Sequence, residues 1–226
     1  MRYSTVLFDL DGTLTDPAEG ITSAVRHALT GVGRPLPPYE ELLRFIGPPL
    51  LEAFHDFCGM DEEEALRALA LFRAYYTETG IHQNRLLPYA RELLVSLKTA
   101  GLTLILATSK PEVQARAVLA DFGILDLFDV VSGSTLDQSR AKKEDVILYA
   151  LDLAGSPAPT DCLMVGDRFY DVIGARACGI DTLGVLCGYG SAEELSSAGA
   201  VALVEDLCGV ENFLLRRLPT KCNNIR

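Results

Sequence analysis

The chain alternates between short apolar runs and amphipathic stretches. Buried strands are predicted at about residues 6–8, 102–107, 128–132, 162–166 and 181–186. Helices are predicted between the later strands, at about residues 89–100, 111–121, 144–153 and 171–177. Strands that alternate with helices in this way favour a parallel, doubly wound sheet, because right-handed crossovers place helices on both of its faces.

A purely helical segment separates the first strand from the others. Its helices are predicted over about residues 21–32, 40–45, 50–57 and 61–79, and no convincing strand lies between Asp16 and Leu87. In the longest helix Asp61 can cap the first turn, Gly80 can end the last, and the apolar residues recur at helical spacing, namely Leu66, Leu69, Phe72 and Tyr76. The predicted organisation is a core of residues 1–15 and 86–217, a helical insertion of residues 16–85, and a flexible polar tail of residues 218–226.

The first strand runs directly into two acidic residues. Asp9 and Asp11 follow the apolar run, and Gly12 then frees the backbone to turn. Strand side chains alternate, so both carboxylates can project to the same side of the turn. Such a pair needs a cation or a proton to offset its repulsion, which indicates a hard divalent metal such as Mg²⁺. The alternative is an ordinary surface turn.

Hydroxyl and ammonium groups follow at two later positions. Thr108 and Ser109 end the strand over residues 102–107, just before a predicted helix N-terminus where a phosphate can bind. The alternative is that they only cap that helix. Lys142 and Lys143 are predicted to begin another helix, and they stand out because the chain has only five lysines. The alternative is that they belong to a solvated helix face, as paired lysines usually do.

The strand over residues 162–166 also ends in a carboxylate. Asp167 follows it directly and Asp171 lies four residues further on, so both can approach the same metal. The alternative is a helix N-cap followed by a surface acid. The four segments occur in order, each at a strand end or a helix start, and this conjunction favours a functional site over four unrelated turns.

The segment DLDGTLTD resembles the first motif of the haloacid dehalogenase-like (HAD) phosphohydrolases. The likeness runs from Thr5 to about Leu207, and the segments TLTDP, FIGPPL, ATSKP and VGDRFYD are most similar to the phosphoglycolate phosphatase-like and nucleotidase-like branch. The resemblance implies a HAD-like α/β fold, in which a doubly wound parallel sheet carries an inserted all-helical cap domain.

The same resemblance implies a role for each motif residue. Asp9 would be the nucleophile, and Asp11 would protonate the leaving oxygen and later activate water. Lys143 matches the family's lysine better than Lys142 does, because of its distance from the apolar pair that follows. The phosphoryl oxygens would be bound by Thr108, Ser109 and Lys143. The Mg²⁺ ligands would be Asp9, the backbone carbonyl of Asp11, Asp167 and, in support, Asp171.

The predicted cap would close over the site and select the leaving group. Its hinges are expected near residues 15–17 and 84–88. Gly47 and Pro48 belong to a Gly-Pro loop that is a candidate substrate contact, although a plain helix connection is as good an interpretation. Arg44 and Arg85 are candidates to meet an anionic substrate.

The favoured function is hydrolysis of a small phosphate monoester through an aspartyl phosphate, in the manner of a phosphoglycolate phosphatase. The alternatives are a 5'-nucleotidase of the same fold, a β-phosphoglucomutase-like phosphotransferase and, from another class, a receiver-like signalling module that accumulates phosphoaspartate. Residues 16–97 contain no lysine, which argues against the imine chemistry of phosphonoacetaldehyde hydrolase-like relatives.

Composition narrows the setting in which this chemistry would occur. The 226 residues carry a formal net charge of −11, which argues against binding to nucleic acid or an anionic membrane. No apolar run is long enough for a membrane span or a signal peptide, and the six cysteines are scattered, which favours reduced thiols. We therefore expect a cytoplasmic protein, as a monomer or homodimer. The resemblance implies that its partner is a small phosphorylated metabolite.

Overall fold

A parallel sheet of six strands forms the centre of the molecule. The computed structural model describes residues 2–137 and 139–215. The strands are β1 Thr5–Phe8, β2 Thr15–Asp16, β3 Arg85–Leu86, β4 Thr103–Pro111, β5 Val130–Ser134, β6 Cys162–Gly166, β7 Asp181–Val185 and β8 Ala202–Val204. The large sheet has the order β5-β4-β1-β6-β7-β8, and all its pairings are parallel. The predicted fold class is confirmed.

Ten α-helices lie in the described part of the chain. They are α1 Ala18–Gly31, α2 Tyr39–Leu42, α3 Leu50–Cys58, α4 Glu62–Glu78, α5 Ala90–Thr99, α6 Glu112–Asp121, α7 Lys143–Leu153, α8 Phe169–Ala177, α9 Ala192–Ala198 and α10 Leu207–Leu215. The pattern analysis resolved nothing after residue 186, where the structure adds α9, β8 and α10. These elements are short, and only a few buried residues in them carry a periodic signal.

The two faces of the sheet bury separate apolar clusters. Val6 and Phe8 of β1 pack on the side of α5, α6 and α10, whereas Leu7 packs with α7 and α8 on the other side. This alternation follows from the period of two in a strand. Helices on both faces explain why β1 is apolar from Val6 to Phe8, and why the next polar residue, Asp9, comes only after the strand has ended.

The helical segment between residues 17 and 84 is joined to the core by a small second sheet. β2 and β3 pair antiparallel, with Thr15 opposite Leu86 and Asp16 opposite Arg85. The expectation of no strand between Asp16 and Leu87 is therefore wrong, because β3 has only two residues, too few for any periodicity. The predicted hinges coincide with this pairing, while the domain boundaries themselves stay a prediction.

The helices of the insertion follow the predicted pattern with local corrections. The Asp61 side chain accepts a hydrogen bond from the Glu64 N–H at 2.9 Å, so the predicted N-cap of α4 is confirmed. Leu69, Phe72 and Tyr76 are buried as predicted. Leu66, the first of the four predicted apolar positions, faces away from the core and is 48% exposed. The predicted helix over residues 40–45 is α2 followed by a 3₁₀ turn at Leu43–Phe45.

Three other expectations concern the cysteines, membrane helices and the C-terminal tail. Cys58, Cys162, Cys178 and Cys187 are free thiols as expected, whereas Cys208 is disulfide-bonded, against the expectation of reduced thiols. Across residues 2–137 and 139–215, no helix has the length and apolarity that a membrane crossing requires. The predicted tail, residues 218–226, lies outside the described residues.

Candidate active site

Three carboxylates from two strand ends and one helix meet at the carboxyl edge of the sheet. Asp9 follows β1, Asp167 follows β6, and Asp171 lies in the first turn of α8. One carboxylate oxygen from each lies within 4.8 Å of the others, and all three residues are buried. β1 and β6 are neighbours in the sheet, so their ends bring Asp9 and Asp167 together although the two residues are 158 positions apart in the sequence.

Lys143 neutralises part of this acidic cluster. Its Nζ lies 2.8 Å from Asp9 Oδ1 and 2.7 Å from Asp171 Oδ1, and it donates a hydrogen bond to the Ala107 carbonyl at 3.1 Å. Lys143 is the first residue of α7, and Lys142 before it is exposed. Of the two lysines left open by the sequence pattern, the structure brings Lys143 to the cluster.

Burial raises the pKa values of two of the carboxyl groups. The pKa of Asp167 rises to about 8, because it is buried and because Asp171 and Asp9 are close. Burial also raises the pKa of Asp171 to about 6, although Lys143 opposes the shift. The pKa of Lys143 is raised despite its burial, by Asp171 and Asp9. This concentration of carboxylate oxygens matches the donor set of a hard divalent cation.

Close backbone approaches hold the Asp167 carboxylate in position. Thr13 Oγ1 donates a hydrogen bond to Oδ1 at 3.1 Å, and the Tyr189 N–H donates one to Oδ2 at 2.8 Å. A Cβ at Gly12, where φ is +90°, or at Gly188 would come within 2.3 Å of Oδ2. The sequence motif identified Gly12 as a turn residue. It did not predict that Thr13, Gly188 and Tyr189 contact Asp167, because no local pattern links residue 188 to residue 12.

The second motif aspartate has a different partner. Lys110 Nζ lies 2.5 Å from Asp11 Oδ2, and both side chains are almost wholly buried. The Lys110 ammonium also lies 4.8 Å from the centre of the Tyr76 ring, which α4 contributes. The sequence analysis did not assign Lys110. Its position two residues after Thr108, in a chain with so few lysines, was the available signal.

Thr108 and Ser109 lie within β4 rather than at the start of α6. Thr108 is buried, its Oγ1 accepts a hydrogen bond from the Lys110 N–H at 3.3 Å, and both residues line the cleft described below. The N-cap of α6 is Pro111, which gives no side-chain cap. The interpretation of Thr108 and Ser109 as caps is therefore wrong.

Asp167 is not a helix cap either. Arg168 occupies the N-cap position of α8, and the Asp171 side chain accepts a hydrogen bond from its N–H at 3.1 Å. Asp171 thus fixes the start of α8 with one oxygen and faces Lys143 with the other. The arrangement lets one side chain serve both the fold and the acidic cluster.

A cleft with an empty volume of about 740 Å³, open mouth included, separates this cluster from the helical insertion. Asp9, Asp11, Thr108, Ser109 and Lys110 line the core side. The opposite wall is largely apolar, and its residues include Ile21, Phe45, Leu50, Leu69, Phe72, Arg73 and Tyr76. A concave, mostly apolar space with a few convergent charges is the usual form of a small-molecule site.

The structure brings two of the four proposed specificity residues to this cleft. Gly47 and Pro48 line it, and Arg168 fixes their loop by donating a hydrogen bond to the Ile46 carbonyl at 2.6 Å. Arg44 and Arg85 do not line it. The Arg44 guanidinium lies 4.3 Å from the centre of the Phe57 ring, and Arg85, whose side chain is 79% exposed, pairs with Asp16. The sequence identified cationic side chains in the insertion, but it could not show which of them face the cleft.

Comparison with known proteins agrees with this geometry. The family model for haloacid dehalogenase-like hydrolases matches residues 6–185, which is most of the chain. The protein belongs to the haloacid dehalogenase-like hydrolase family. The match covers β1 to β7 and therefore all four motif segments of this hydrolase.

Individual relatives of this hydrolase are also similar over most of its length. A 5'-nucleotidase of Pseudomonas aeruginosa is 42% identical over 95% of this chain and 96% of its own. The tyrosine-protein kinase PtkA of Mycobacterium tuberculosis is 45% identical over 83% of this chain, which spans only 64% of that protein's length. The crystal structure of a predicted phosphatase from Clostridium acetobutylicum superposes with a TM-score of 0.92, at 40% identity, over 96% of this chain and 100% of that one.

Proposed function

We propose that this hydrolase is a Mg²⁺-dependent phosphatase, which cleaves a small-molecule phosphate monoester through an aspartyl phosphate on Asp9. The observation that supports it best is the meeting of Asp9, which lines the cleft, with Lys143, Asp167 and Asp171 at the carboxyl edge of the sheet. A carboxylate nucleophile needs nearby positive charge, because the group that it attacks is itself an anion.

The donor set fits Mg²⁺ in this proposal. Three buried carboxylates with oxygens within 4.8 Å of one another repel each other, and the raised pKa values of Asp167 and Asp171 reflect that repulsion as well as their burial. Asp9, Asp167, Asp171 and the backbone carbonyl of Asp11 would hold the ion. Bound there, Mg²⁺ would neutralise charge on the transferring phosphoryl group.

The reaction then divides into two displacements. A carboxylate oxygen of Asp9 attacks phosphorus, the ester P–O bond breaks, and Asp11 gives a proton to the leaving oxygen. Asp11 next takes a proton from a water molecule, whose oxygen attacks the same phosphorus and releases phosphate and free Asp9. Thr108 and Ser109, which line the cleft, and Lys143, which lies beside Asp9, bind the phosphoryl oxygens. Lys110 holds Asp11 in place through their ion pair.

Two relatives point to particular substrates. The similarity to a 5'-nucleotidase makes nucleoside monophosphates a second candidate class beside phosphoglycolate-like esters. The similarity to PtkA makes tyrosine a candidate phosphoryl acceptor. Compared with a phosphoglycolate phosphatase, a nucleotidase differs in the leaving group and a tyrosine kinase differs in the acceptor.

A turnover screen tests the proposal. Phosphate release would be measured with Mg²⁺, and with EDTA as a control, on phosphoglycolate, nucleoside monophosphates, sugar phosphates, phosphotyrosine and pyrophosphate. We expect Mg²⁺-dependent multiple turnover on at least one monoester. A phosphoenzyme that accumulates without release of phosphate would favour the receiver-like alternative, and transfer to sugar or tyrosine that outruns release would favour a phosphotransferase.

A further inference from the structure

The charges that line the cleft are not all compensated. Lys110 is paired with Asp11, and Asp9 is paired with Lys143, which lies behind it. Arg73, in α4, lines the cleft half-buried and has no ion pair or hydrogen bond with any residue in 2–137 or 139–215. Partial burial lowers the pKa of its guanidinium. The charge of Arg73 therefore remains available to a ligand.

Arg73 has a neighbouring hydrogen-bond donor on the same helix face. Tyr76 lies one turn further along α4 and lines the same cleft, and its side chain is buried. Its hydroxyl has no hydrogen-bond partner in good geometry among the described residues, and the Lys110 ammonium beside it is already paired with Asp11. A buried hydroxyl without a partner is costly, so a ligand atom that accepts a hydrogen bond there would be favoured.

The surroundings of these two donors strengthen their preference for an anion. Ile21, Phe45, Leu69 and Phe72 line the rest of that wall and offer no negative charge. In an apolar, partly dehydrated wall an arginine interacts more strongly with a carboxylate or phosphate than it would in water. The two acids that line the core side of the cleft already have lysine partners, Asp11 with Lys110 and Asp9 with Lys143.

We propose, on the basis of the phosphatase function above, that Arg73 and the Tyr76 hydroxyl form a subsite for a second anionic group on the leaving-group part of the substrate. The substrate class is a short phosphate monoester whose alcohol carries a carboxylate or a second phosphate. A neutral nucleoside leaving group lacks the charge that this subsite binds, so nucleoside monophosphates are the poorer substrates. Arg73 takes the part that the sequence analysis had given to Arg44 and Arg85.

A pair of substrates that differ only in this charge tests the subsite. Phosphoglycolate carries a carboxylate where 2-hydroxyethyl phosphate has a neutral hydroxymethyl group. Arg73→Met should lower kcat/KM for phosphoglycolate about 10- to 100-fold, the range for loss of a charged hydrogen bond, and change it less than about 3-fold for 2-hydroxyethyl phosphate. Arg73→Lys should restore part of the loss. Arg67→Met, an exposed arginine on the same helix, should change neither substrate by more than about 2-fold.

Binding of non-hydrolysable analogues separates the subsite from the chemistry. Calorimetry with Mg²⁺ would compare 3-phosphonopropionate with propylphosphonate, which lacks the carboxylate. We expect the wild type to bind the first about 10-fold or more tightly than the second, and Arg73→Met to remove the difference. Tyr76→Phe should reduce it by a smaller factor.

The two proposals fail in different ways. Absence of phosphate release from every ester would refute the phosphatase function, while calorimetry would still decide the subsite. Equal loss of kcat/KM on both esters in Arg73→Met, or equal affinity of the wild type for the two phosphonates, would refute the subsite and leave the phosphatase function standing.

Discussion

The two walls of the cleft are built in opposite ways. On the core wall, Asp11 is buried in a pair with Lys110 and Asp9 in a pair with Lys143, and both aspartates follow the end of β1, which lies between β4 and β6 in the sheet. On the opposite wall, apolar side chains surround one arginine without an acidic partner among the described residues, and the helices that carry them are joined to the core by a two-stranded sheet with two residues in each strand. On the proposed function, the fixed charges of the core wall would serve the reaction, and the apolar wall of the insertion would select the substrate.

The largest expected effect tests whether the reaction belongs to the core wall. Asp9→Asn replaces the proposed nucleophile with a group of similar shape, and we expect kcat to fall at least about 10⁴-fold on every substrate. Phosphate release measures the loss, and circular dichroism with thermal melting checks that the fold is intact. Near-full activity would refute the nucleophile assignment and the division of labour between the walls.

A smaller effect tests whether the core wall tolerates a displacement of the Asp167 carboxylate. A Cβ at Gly12 would come within 2.3 Å of Asp167 Oδ2, so we expect Gly12→Ala to weaken Mg²⁺ activation about 10²-fold or more. Gly155→Ala is a matched control, since its φ of +82° is similar and a Cβ there meets nothing within 4 Å. Both variants should lose about 1 kcal/mol of stability from the backbone, but only Gly12→Ala should change the Mg²⁺ titration. Unchanged Mg²⁺ dependence in both would contradict the tight placement of Asp167.

The pH dependence of stability tests the repulsion within the acidic cluster. The pKa of Asp167 is raised from 3.8 to about 8, so the folded state holds a proton that the unfolded state loses above about pH 4. Its contribution is fully present below pH 4 and is lost as the pH rises through about 8, which lowers the free energy of unfolding in EDTA by on the order of a few kcal/mol.

Urea denaturation in EDTA at pH 6 and pH 8.5 would measure this decrease. Asp167→Asn should reduce it, because the amide stays neutral, and Asp152→Asn, at an exposed position in α7, should leave it unchanged. Added Mg²⁺ should stabilise the wild type more at the higher pH, where protons no longer compete for the ligand oxygens. A stability that rises with pH in EDTA would contradict the proposed repulsion.

The smallest expected effect concerns an arginine outside the cleft. Arg85 is mostly exposed and pairs with Asp16 across β2 and β3. We expect Arg85→Ala to cost less than about 1 kcal/mol and to change kcat/KM less than about 3-fold on charged and neutral esters alike. Steady-state kinetics beside Arg73→Met would measure this contrast. A selective loss on charged esters in Arg85→Ala would return Arg85 to the specificity residues and weaken the assignment of Arg73.

Some parts of the fold could be predicted because their signals are local. β1, β4 and β6 are apolar runs that end at polar residues, and the Asp61 cap of α4 needs only its own helix. Leu66 shows the limit of periodicity, since helical spacing does not say where an apolar stripe leaves the core. β3 was missed because two residues carry no period.

The sequence by itself determined the alternation of strands and helices, the helical insertion and the order of the acidic, hydroxyl and lysine segments, because each depends on neighbours along the chain. The tertiary structure alone decided which side chains meet. In the structure Lys143, not Lys142, contacts Asp9, and Lys110 pairs with Asp11. Asp167 lies between Gly12 and Gly188. Arg73 lines the cleft, whereas Arg44 and Arg85 do not. These contacts join residues far apart in sequence, and their geometry is set by strand order and helix rotation, which no local pattern contains.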